Sequence, residues 1–316
     1  MSKVMVTGAS GFIGKFLCAS LAKQQMLAQA IVRDVARLPV ALQQFATIIP
    51  NLSPDVVKQL NFSDIDCVIH LAATAHIPVT GAADELDAYR RINCETTLAL
   101  AQAAVQSGVR RFIFISSIGV NGVQSEQPFT AQDTPAPQEP YAVSKYEAEL
   151  ALRQLAAETA LELVIIRPPL VYGRGAPGNF GKLCQLAQRP LPLPLGAIYN
   201  KRSLVAVDNL IDLVLCCTVH PAAAGQTFLV SDDQDISTTN LLRALIKASG
   251  GKARLIPFPL TLLRLLASSV GKAALLDRLA GNLQLDIRHT KQTLGWAPVV
   301  SVEQGIQRCF SNEDVC

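Results

Sequence analysis

Tyr141 and Lys145 stand four residues apart in Tyr141-Ala142-Val143-Ser144-Lys145, a stretch that reads as helical, so their side chains share one helix face. A phenol titrates near pH ~10 in water and is a poor base at neutral pH unless a nearby cation favours the phenolate. Lys145 is placed to be that cation. Pro140 suits the first turn of a helix, and Glu147-Ala148-Glu149-Leu150-Ala151 continue it with good helix formers. Further back, the apolar run Phe112-Ile113-Phe114-Ile115 ends in two hydroxyls, Ser116 and Ser117. Tyrosine, lysine and a serine from further back would make a proton-transfer unit for alcohol/ketone chemistry, which also requires a hydride carrier. Alone, Y-x-x-x-K is common on helix surfaces, so the rest of the chain must supply a site for that carrier.

Residues 4 to 34 supply one. An apolar strand, Val4-Met5-Val6, runs into Gly8-Ala9-Ser10-Gly11-Phe12-Ile13-Gly14, then a helix through Phe16, Leu17 and Leu21, then a second strand, Ala30-Ile31-Val32. Glycines at 8, 11 and 14 permit a tight turn and close backbone approach to a pyrophosphate resting on the helix N-terminus. A glycine triplet alone is weak evidence; between strand and helix at the start of a βαβ unit it is a good indication. The order of elements predicts an α/β chain, a Rossmann-type doubly wound parallel sheet with a smaller mixed α/β substrate domain.

The spacing G-x-x-G-x-x-G resembles the extended short-chain dehydrogenase/reductase superfamily, and specifically its NAD-dependent epimerase/dehydratase family. The resemblance continues in family order through His70-Leu71-Ala72-Ala73, Asn93, Ser117, the Tyr141/Lys145 pair, Arg167-Pro168-Pro169-Leu170-Val171-Tyr172-Gly173 and the closing Leu294-Gly295-Trp296-Ala297-Pro298. It implies NAD(H) or NADP(H) bound by Gly8, Gly11, Phe12, Ile13, Gly14, Leu71, Ala72, Ala73, Asn93, Lys145 and Pro168. NAD users of the family usually end the second strand in an acidic residue. Here Val32 and Arg33 stand there, which points to a 2′-phosphate and NADP(H), while Asp34, one position on, keeps NAD open. At the end of the third strand Asn51-Leu52 replaces the family's Asp-Leu near the adenine. Asn93 matches an asparagine that supports the active-site helix and a proton-relay water.

The resemblance also implies roles at the reacting centre. Tyr141 is the acid/base at the substrate oxygen, Ser117 its hydrogen-bond partner and Lys145 the residue holding the nicotinamide ribose; Ser116 is the structural hydroxyl. The 4,6-dehydratases carry Asp-Glu directly after the serine position. Ile118-Gly119 replaces that pair, so dehydration is not expected. Asn179 in Pro177-Gly178-Asn179-Phe180 and Arg202 in Lys201-Arg202-Ser203 resemble elements that grip a nucleoside diphosphate-sugar, the arginine by bidentate contact. A loop cap for Asn179 and a salt bridge to Asp208 for Arg202 are the ordinary alternatives. Where epimerases have R-P-G-D with a second phosphate-binding arginine, Asn282-Leu283-Gln284-Leu285-Asp286 stands, so one clamp is expected to be missing. His76, just past the fourth strand, is a candidate substrate contact or a loop histidine.

Residues 1–170 are expected to form the dinucleotide domain, with 203–220 returning to it; 171–202 and 221–316, including a strand at Thr227-Phe228-Leu229-Val230, form the substrate domain. Half of the 316 residues are hydrophobic and 17% are charged, with 28 basic against 25 acidic, which describes a compact globular protein rather than a disordered one. No Lys/Arg block suggests nucleic-acid binding. The eight cysteines show no metal-like spacing, so no metal is expected; they read as reduced thiols of a cytoplasmic protein, and no cleaved export signal is expected. The apolar stretch Leu255–Leu285 is broken by Arg264, Lys272, Asp277 and Arg278 and carries Pro257 and Pro259. It makes no membrane span, and a peripheral contact stays open.

The expected activity is oxidation or reduction at C4 of a UDP-hexose or UDP-N-acetylhexosamine by a 4-epimerase or a 4-ketoreductase. The overall look is closest to bacterial surface-polysaccharide enzymes, including reductases of UDP-4-keto-6-deoxy-N-acetylglucosamine. An NADP-dependent reductase of a non-sugar ketone is the rival, and a non-catalytic NADP(H)-binding regulator stands further off because Ser117, Tyr141 and Lys145 are all retained. A homodimer is expected by analogy.

Overall fold

The computed structural model describes residues 2–74, 82–269 and 271–311; His76 and Cys316 lie outside the described residues. The strands are β1 (Val4–Thr7), β2 (Leu27–Val32), β3 (Ala46–Ile48), β4 (Cys67–His70), β5 (Arg111–Ile115), β6 (Glu162–Arg167), β7 (Leu170–Tyr172), β8 (Pro192–Leu193), β9 (Leu204–Ala206), β10 (Thr227–Leu229) and β11 (Arg254–Leu255). Seven of them form one parallel sheet in the order β10-β6-β5-β4-β1-β2-β3. Strand order reverses between β1 and β4, so a crevice opens at their C-terminal ends, where ligands bind in doubly wound sheets.

β1, β4 and β5 are buried along their whole length, as strands covered on both faces must be. Alternation divides their side chains between two cores. Val4 and Val6 pack on the face holding Leu17 and Leu21 of the helix Phe12–Lys23 and Leu210 and Val214 of the helix Val207–Val219. Met5, Val68, Phe112 and Phe114 pack on the other face, with Leu100 of the helix Thr96–Gln106 and Leu152 of the helix Pro140–Ala157. Fully burying a side chain of this size stabilises by about 1.5–3 kcal/mol, so the strands that present the site belong to the best-packed part of the fold.

A smaller lobe packs the helices Gly178–Gln188, Thr238–Ser249 and Val302–Arg308 around Tyr172, Phe180 and Leu242. Two short parallel pairs, β7 with β9 and β8 with β11, edge it. Tyr172 is buried and donates to Asp232 Oδ2 at 2.7 Å. A Cβ at Gly305 would lie 2.6 Å from the tyrosine oxygen, so only glycine leaves room for that contact.

The expected boundaries need two corrections. Thr227–Leu229, assigned above to the smaller domain, is instead the edge strand of the main sheet, paired with β6. The C-terminal L-G-W-x-P segment also returns to the main core: Leu294 and Trp296 are buried there, and Trp296 Nε1 donates to Asp212 Oδ2 at 2.8 Å. Both are long-range placements that a local hydrophobic pattern does not encode.

Candidate active site and dinucleotide crevice

Gly8 ends β1 with a positive φ of 71°. A Cβ there would lie 2.8 Å from the Ala72 nitrogen, and one at Gly14 would lie 2.2 Å from the Gly8 carbonyl oxygen. No larger residue fits this turn, which delivers the chain into the helix Phe12–Lys23. A cavity of about 320 Å³ follows, walled by Gly8, Gly11, Leu71, Ala72 and Ala73 at one end and by Val32, Asn51 and Leu52 at the other. Small residues and a helix start at one end, with an apolar slot at the other, fit a dinucleotide. Phe12 lines an adjoining cavity, Gly14 is buried, and Ile13 is half-buried.

Asp34 Oδ1 accepts from the Ala36 N–H at 2.9 Å and caps the turn Val35–Arg37, so its carboxylate is engaged locally. Arg33 lines the crevice, and so does Arg37, which the sequence reading missed. Its signal was the Asp34 cap, which brings residue 37 back beside residue 33.

The helix Pro140–Ala157 starts with proline in its first turn. Tyr141 meets Tyr89 edge-on, ring centroids 6.1 Å apart, and burial pushes its phenol up to about 12. Lys145 is buried with Nζ 3.9 Å from the centre of the Phe114 ring. Burial pulls its ammonium down to about 7 against the opposing pull of Glu149. Desolvation is the largest influence at both groups, opposing the charged form of each.

Ser117 Oγ accepts the Gly119 N–H at 3.1 Å, which leaves its own proton to donate. A Cβ at Gly119 would lie 3.2 Å from Ala142 Cβ and 3.3 Å from Ser117 Oγ, so the serine loop lies against the first turn of the Tyr141 helix. Pro168 is buried and its carbonyl accepts the Ile118 N–H at 2.9 Å. It fixes the serine loop, while Pro169 and Leu170 form the neighbouring cavity wall.

Asn93 sits in a π-helical segment, Arg90–Glu95, an irregularity that frequently marks functional sites. Its side chain accepts from Thr74 N at 2.9 Å and donates to Thr74 O and Ser144 Oγ, each at 3.1 Å. It ties the strand-end loop to the Tyr141 helix; Ile92 and Thr96, rather than Asn93, line the crevice.

Two buried networks were not read from the sequence. Glu149, eight residues after Tyr141 on the same helix face, accepts from Ser116 Oγ at 2.6 Å and from Arg167 Nε and Nη2 at 2.9 and 2.5 Å. Arg167 also donates to Asn121 Oδ1 at 2.9 Å. This unit joins the ends of β5 and β6 to the tyrosine helix, and its signal was a carboxylate in register with Tyr141 and Lys145. The second network centres on His70. Thr97 Oγ1 gives its only proton to the Asn93 carbonyl at 2.7 Å, so it accepts from His70 Nε2 at 2.9 Å. His70 Nδ1 then accepts from Thr7 Oγ1 at 2.6 Å. The network thus assigns one neutral tautomer, consistent with burial pushing the imidazole down to about 3, helped by the Lys145 charge.

A second cavity, about 330 Å³, brings together Ser117, Asn179 and Arg202. Arg202 donates to the carbonyls of Arg278 and Gly281 at the end of the helix Ala273–Ala280, and burial lowers its pKa. Asp208 pairs with Arg308 instead of Arg202. No arginine stands in the segment 282–286, but Arg278 lines the same cavity and is ion-paired with Glu139, the residue before Pro140. It lies four residues before the segment in which the arginine was sought, and the end of its helix brings it to the cavity.

The sequence profile of the NAD dependent epimerase/dehydratase family matches residues 4–231. A UDP-glucose 4-epimerase of Vibrio cholerae is 41% identical over 309 residues, 96% of this chain and 93% of that protein. Among solved structures, a UDP-glucose 4-epimerase of Thermotoga maritima with UDP-glucose superposes with a TM-score of 0.78 at 22% identity, covering 98% and 97% of the two chains. A UDP-glucuronic acid 4-epimerase of Bacillus cereus in complex with NAD gives 0.76 at 22% identity, covering 98% and 95%.

Proposed function

The chain belongs to the NAD dependent epimerase/dehydratase family, whose members include nucleotide-sugar epimerases and reductases, and from that premise we propose that it is a C4 epimerase of a UDP-hexose or UDP-N-acetylhexosamine serving surface-polysaccharide synthesis. The observation that carries this reading is the shared cavity: Ser117 of the reacting centre, Asn179, Arg202 and Arg278 line one space beside the first turn of the Tyr141 helix. Two guanidinium groups suit the oxygens of a diphosphate, and the hydroxyl end suits a sugar alcohol. The Vibrio cholerae relative favours epimerisation.

When bound, the nicotinamide cofactor accepts and returns a hydride at its ring C4. The chain's own groups handle the proton and the geometry. Ser117 donates a hydrogen bond to the sugar C4 oxygen, and Tyr141 moves a proton at the same atom. Epimerisation begins with loss of the C4 hydroxyl proton, so Tyr141 first accepts that proton as a phenolate, favoured by positive charge beside it with Lys145 as the resident source against the upward push of burial, and then returns the proton as a general acid when the 4-keto sugar is reduced. Lys145 also holds the ribose. Gly8, Gly11 and Gly14 give the pyrophosphate close backbone approach, and Leu71 to Ala73 form the wall behind it. Asn179 and Arg202 orient the diphosphate end of the substrate.

A second reading has its own support: Arg33 and Arg37 line the crevice while Asp34 is turned to its local cap. That favours NADP(H) and one-way reduction of a UDP-4-keto sugar. One experiment separates the readings. Freshly purified protein is denatured, any released nucleotide is identified, and intact protein is incubated with UDP-glucose and UDP-N-acetylglucosamine. Bound NAD with formation of the C4 epimers supports the epimerase. Empty protein that consumes NADPH with a UDP-4-keto sugar supports the reductase. Ketone reduction undiminished in Arg202→Ala would overturn both.

A further inference from the structure

The helix Leu260–Ser269 turns an apolar side outward. Leu262, Leu265 and Leu266, at helical positions i, i+3 and i+4, are 49%, 68% and 57% exposed, whereas Leu260, Leu263 and Ala267 are partly covered. Surface helices ordinarily do the reverse. Ile256, just ahead of the helix, is 44% exposed, and its carbonyl accepts from Gly196 N at 3.0 Å. Tyr199, 73% exposed, donates to the Gly196 carbonyl at 3.4 Å. An amphipathic ring thus stands beside the same edge.

Charge points to what this face meets. The stretch from Lys252 to Arg278 holds five basic residues and one acidic residue, leaving 23 basic against 24 acidic in the remainder of the chain. The net positive charge of the whole protein therefore comes from the stretch bearing the outward leucines. Lys252, Arg254, Arg264 and Lys272 are exposed, and Arg264 pairs with Asp277 at 3.3 Å, pinning the helix to its neighbour Ala273–Ala280. Outward leucines on a stretch whose Lys252, Arg254 and Lys272 are exposed, while its Arg264 and Arg278 pair with Asp277 and Glu139, match an interfacial helix seated at the head-group level of an anionic bilayer. Among the described residues no helix is long and apolar enough to cross a membrane, so the contact is with one surface.

We propose that the Leu260–Ser269 face docks on anionic phospholipid membrane. The contact does not depend on which sugar is the substrate. Because Arg278 and Leu279 of the adjacent helix line the sugar-site cavity, docking sets that cavity within about one helix diameter, roughly 10 Å, of the lipid surface.

The test is co-sedimentation of the full chain with vesicles of phosphatidylglycerol and phosphatidylcholine, or of phosphatidylcholine alone, at low and high salt. The expected result is about tenfold or more binding in favour of the anionic vesicles, weakened by salt. It should be lost in Leu262→Glu/Leu265→Glu/Leu266→Glu at an unchanged unfolding temperature. Lys252→Glu/Lys272→Glu, which leaves the leucines in place, should weaken it as well and serves if the triple variant does not fold. Absence of binding to either vesicle, or undiminished binding by both variants, overturns the proposal. So does a two-chain mass in solution that becomes a one-chain mass in the leucine variant, since a second copy would then cover the face.

Discussion

Replacing Glu149 by glutamine separates the two tasks that its position implies, holding the strand ends together and supporting the charge on Lys145. The carboxylate is fully buried and takes three hydrogen bonds, from Ser116 Oγ and from Arg167 Nε and Nη2. Loss of its charge leaves the Arg167 guanidinium buried without a counter-ion, which costs about 3–5 kcal/mol. Over 316 residues that lowers the unfolding midpoint by about 5–7 °C. Glu149 is also one helical turn from Lys145. A unit-charge pair about 6–8 Å apart at an effective dielectric of about 20 is worth about 2 kcal/mol, or roughly 1.5 pH units on the ammonium. The sign follows from Lys145 already being pulled down to about 7 by burial while Glu149 opposes that pull: without the carboxylate the ammonium loses its proton at still lower pH. The alkaline limb of the kcat/KM profile should therefore move to lower pH by roughly 1–2 units. Calorimetry and a pH series of kcat/KM on Glu149→Gln and on Glu149→Met/Arg167→Met provide the assay. Replacing both partners by apolar groups should recover most of the stability but leave the pH profile shifted. An unmoved profile in Glu149→Gln, or its full recovery in the double variant, would refute the reasoning.

Tyr141→Phe should lower turnover by about 10²–10⁴ while coenzyme affinity, read by fluorescence titration, stays close to that of the unaltered protein; retention of most activity would remove the tyrosine from its role. His70 has its imidazole pushed down from 6.5 to about 3, so its contribution to stability is complete above pH 6.5 and is lost as pH falls toward 3. The full span is worth roughly 5 kcal/mol, and denaturation curves of His70→Gln should be flatter over that window; equal slopes would show that His70 does not carry the acid sensitivity. Removing Arg33 and Arg37 together should raise the dissociation constant for NADPH about tenfold to a hundredfold, the worth of one to two charge-assisted hydrogen bonds, and leave that for NADH nearly unchanged. An equal loss for both coenzymes would mean that the pair does not read the 2′-phosphate.

Local pattern carried much of this. The apolar runs at 4–7, 67–70 and 111–115, the glycine turn between Thr7 and Phe12, and the proline-initiated helix at 140 each mark their own structure, because strand burial, a positive φ at Gly8 and a fixed proline φ are properties of a few neighbouring residues. The elements nearest the chemistry could thus be placed from spacing and the family resemblance. Thr227–Leu229 could not be assigned to the main sheet by the same means, since any short apolar run makes a strand, and only its partner β6 decides which sheet it joins. Arg278 escaped notice for a related reason: its place in the cavity depends on where the end of the helix Ala273–Ala280 falls relative to Arg202, 76 residues away.

The sequence by itself determined the candidate reacting groups and their order along the chain: Ser117 at a strand end, and Tyr141 and Lys145 on one helix face behind a glycine-rich turn. Tertiary structure alone decided their charge states and supports. Burial pushes the Tyr141 phenol up and lowers the Lys145 ammonium toward neutral pH. Glu149 and Arg167 come together from a helix and a strand to brace both, and two arginines from distant segments share one cavity with the serine. Desolvation and charge pairing act through space over a few ångströms, and it is the folded chain that sets which residues lie within that range.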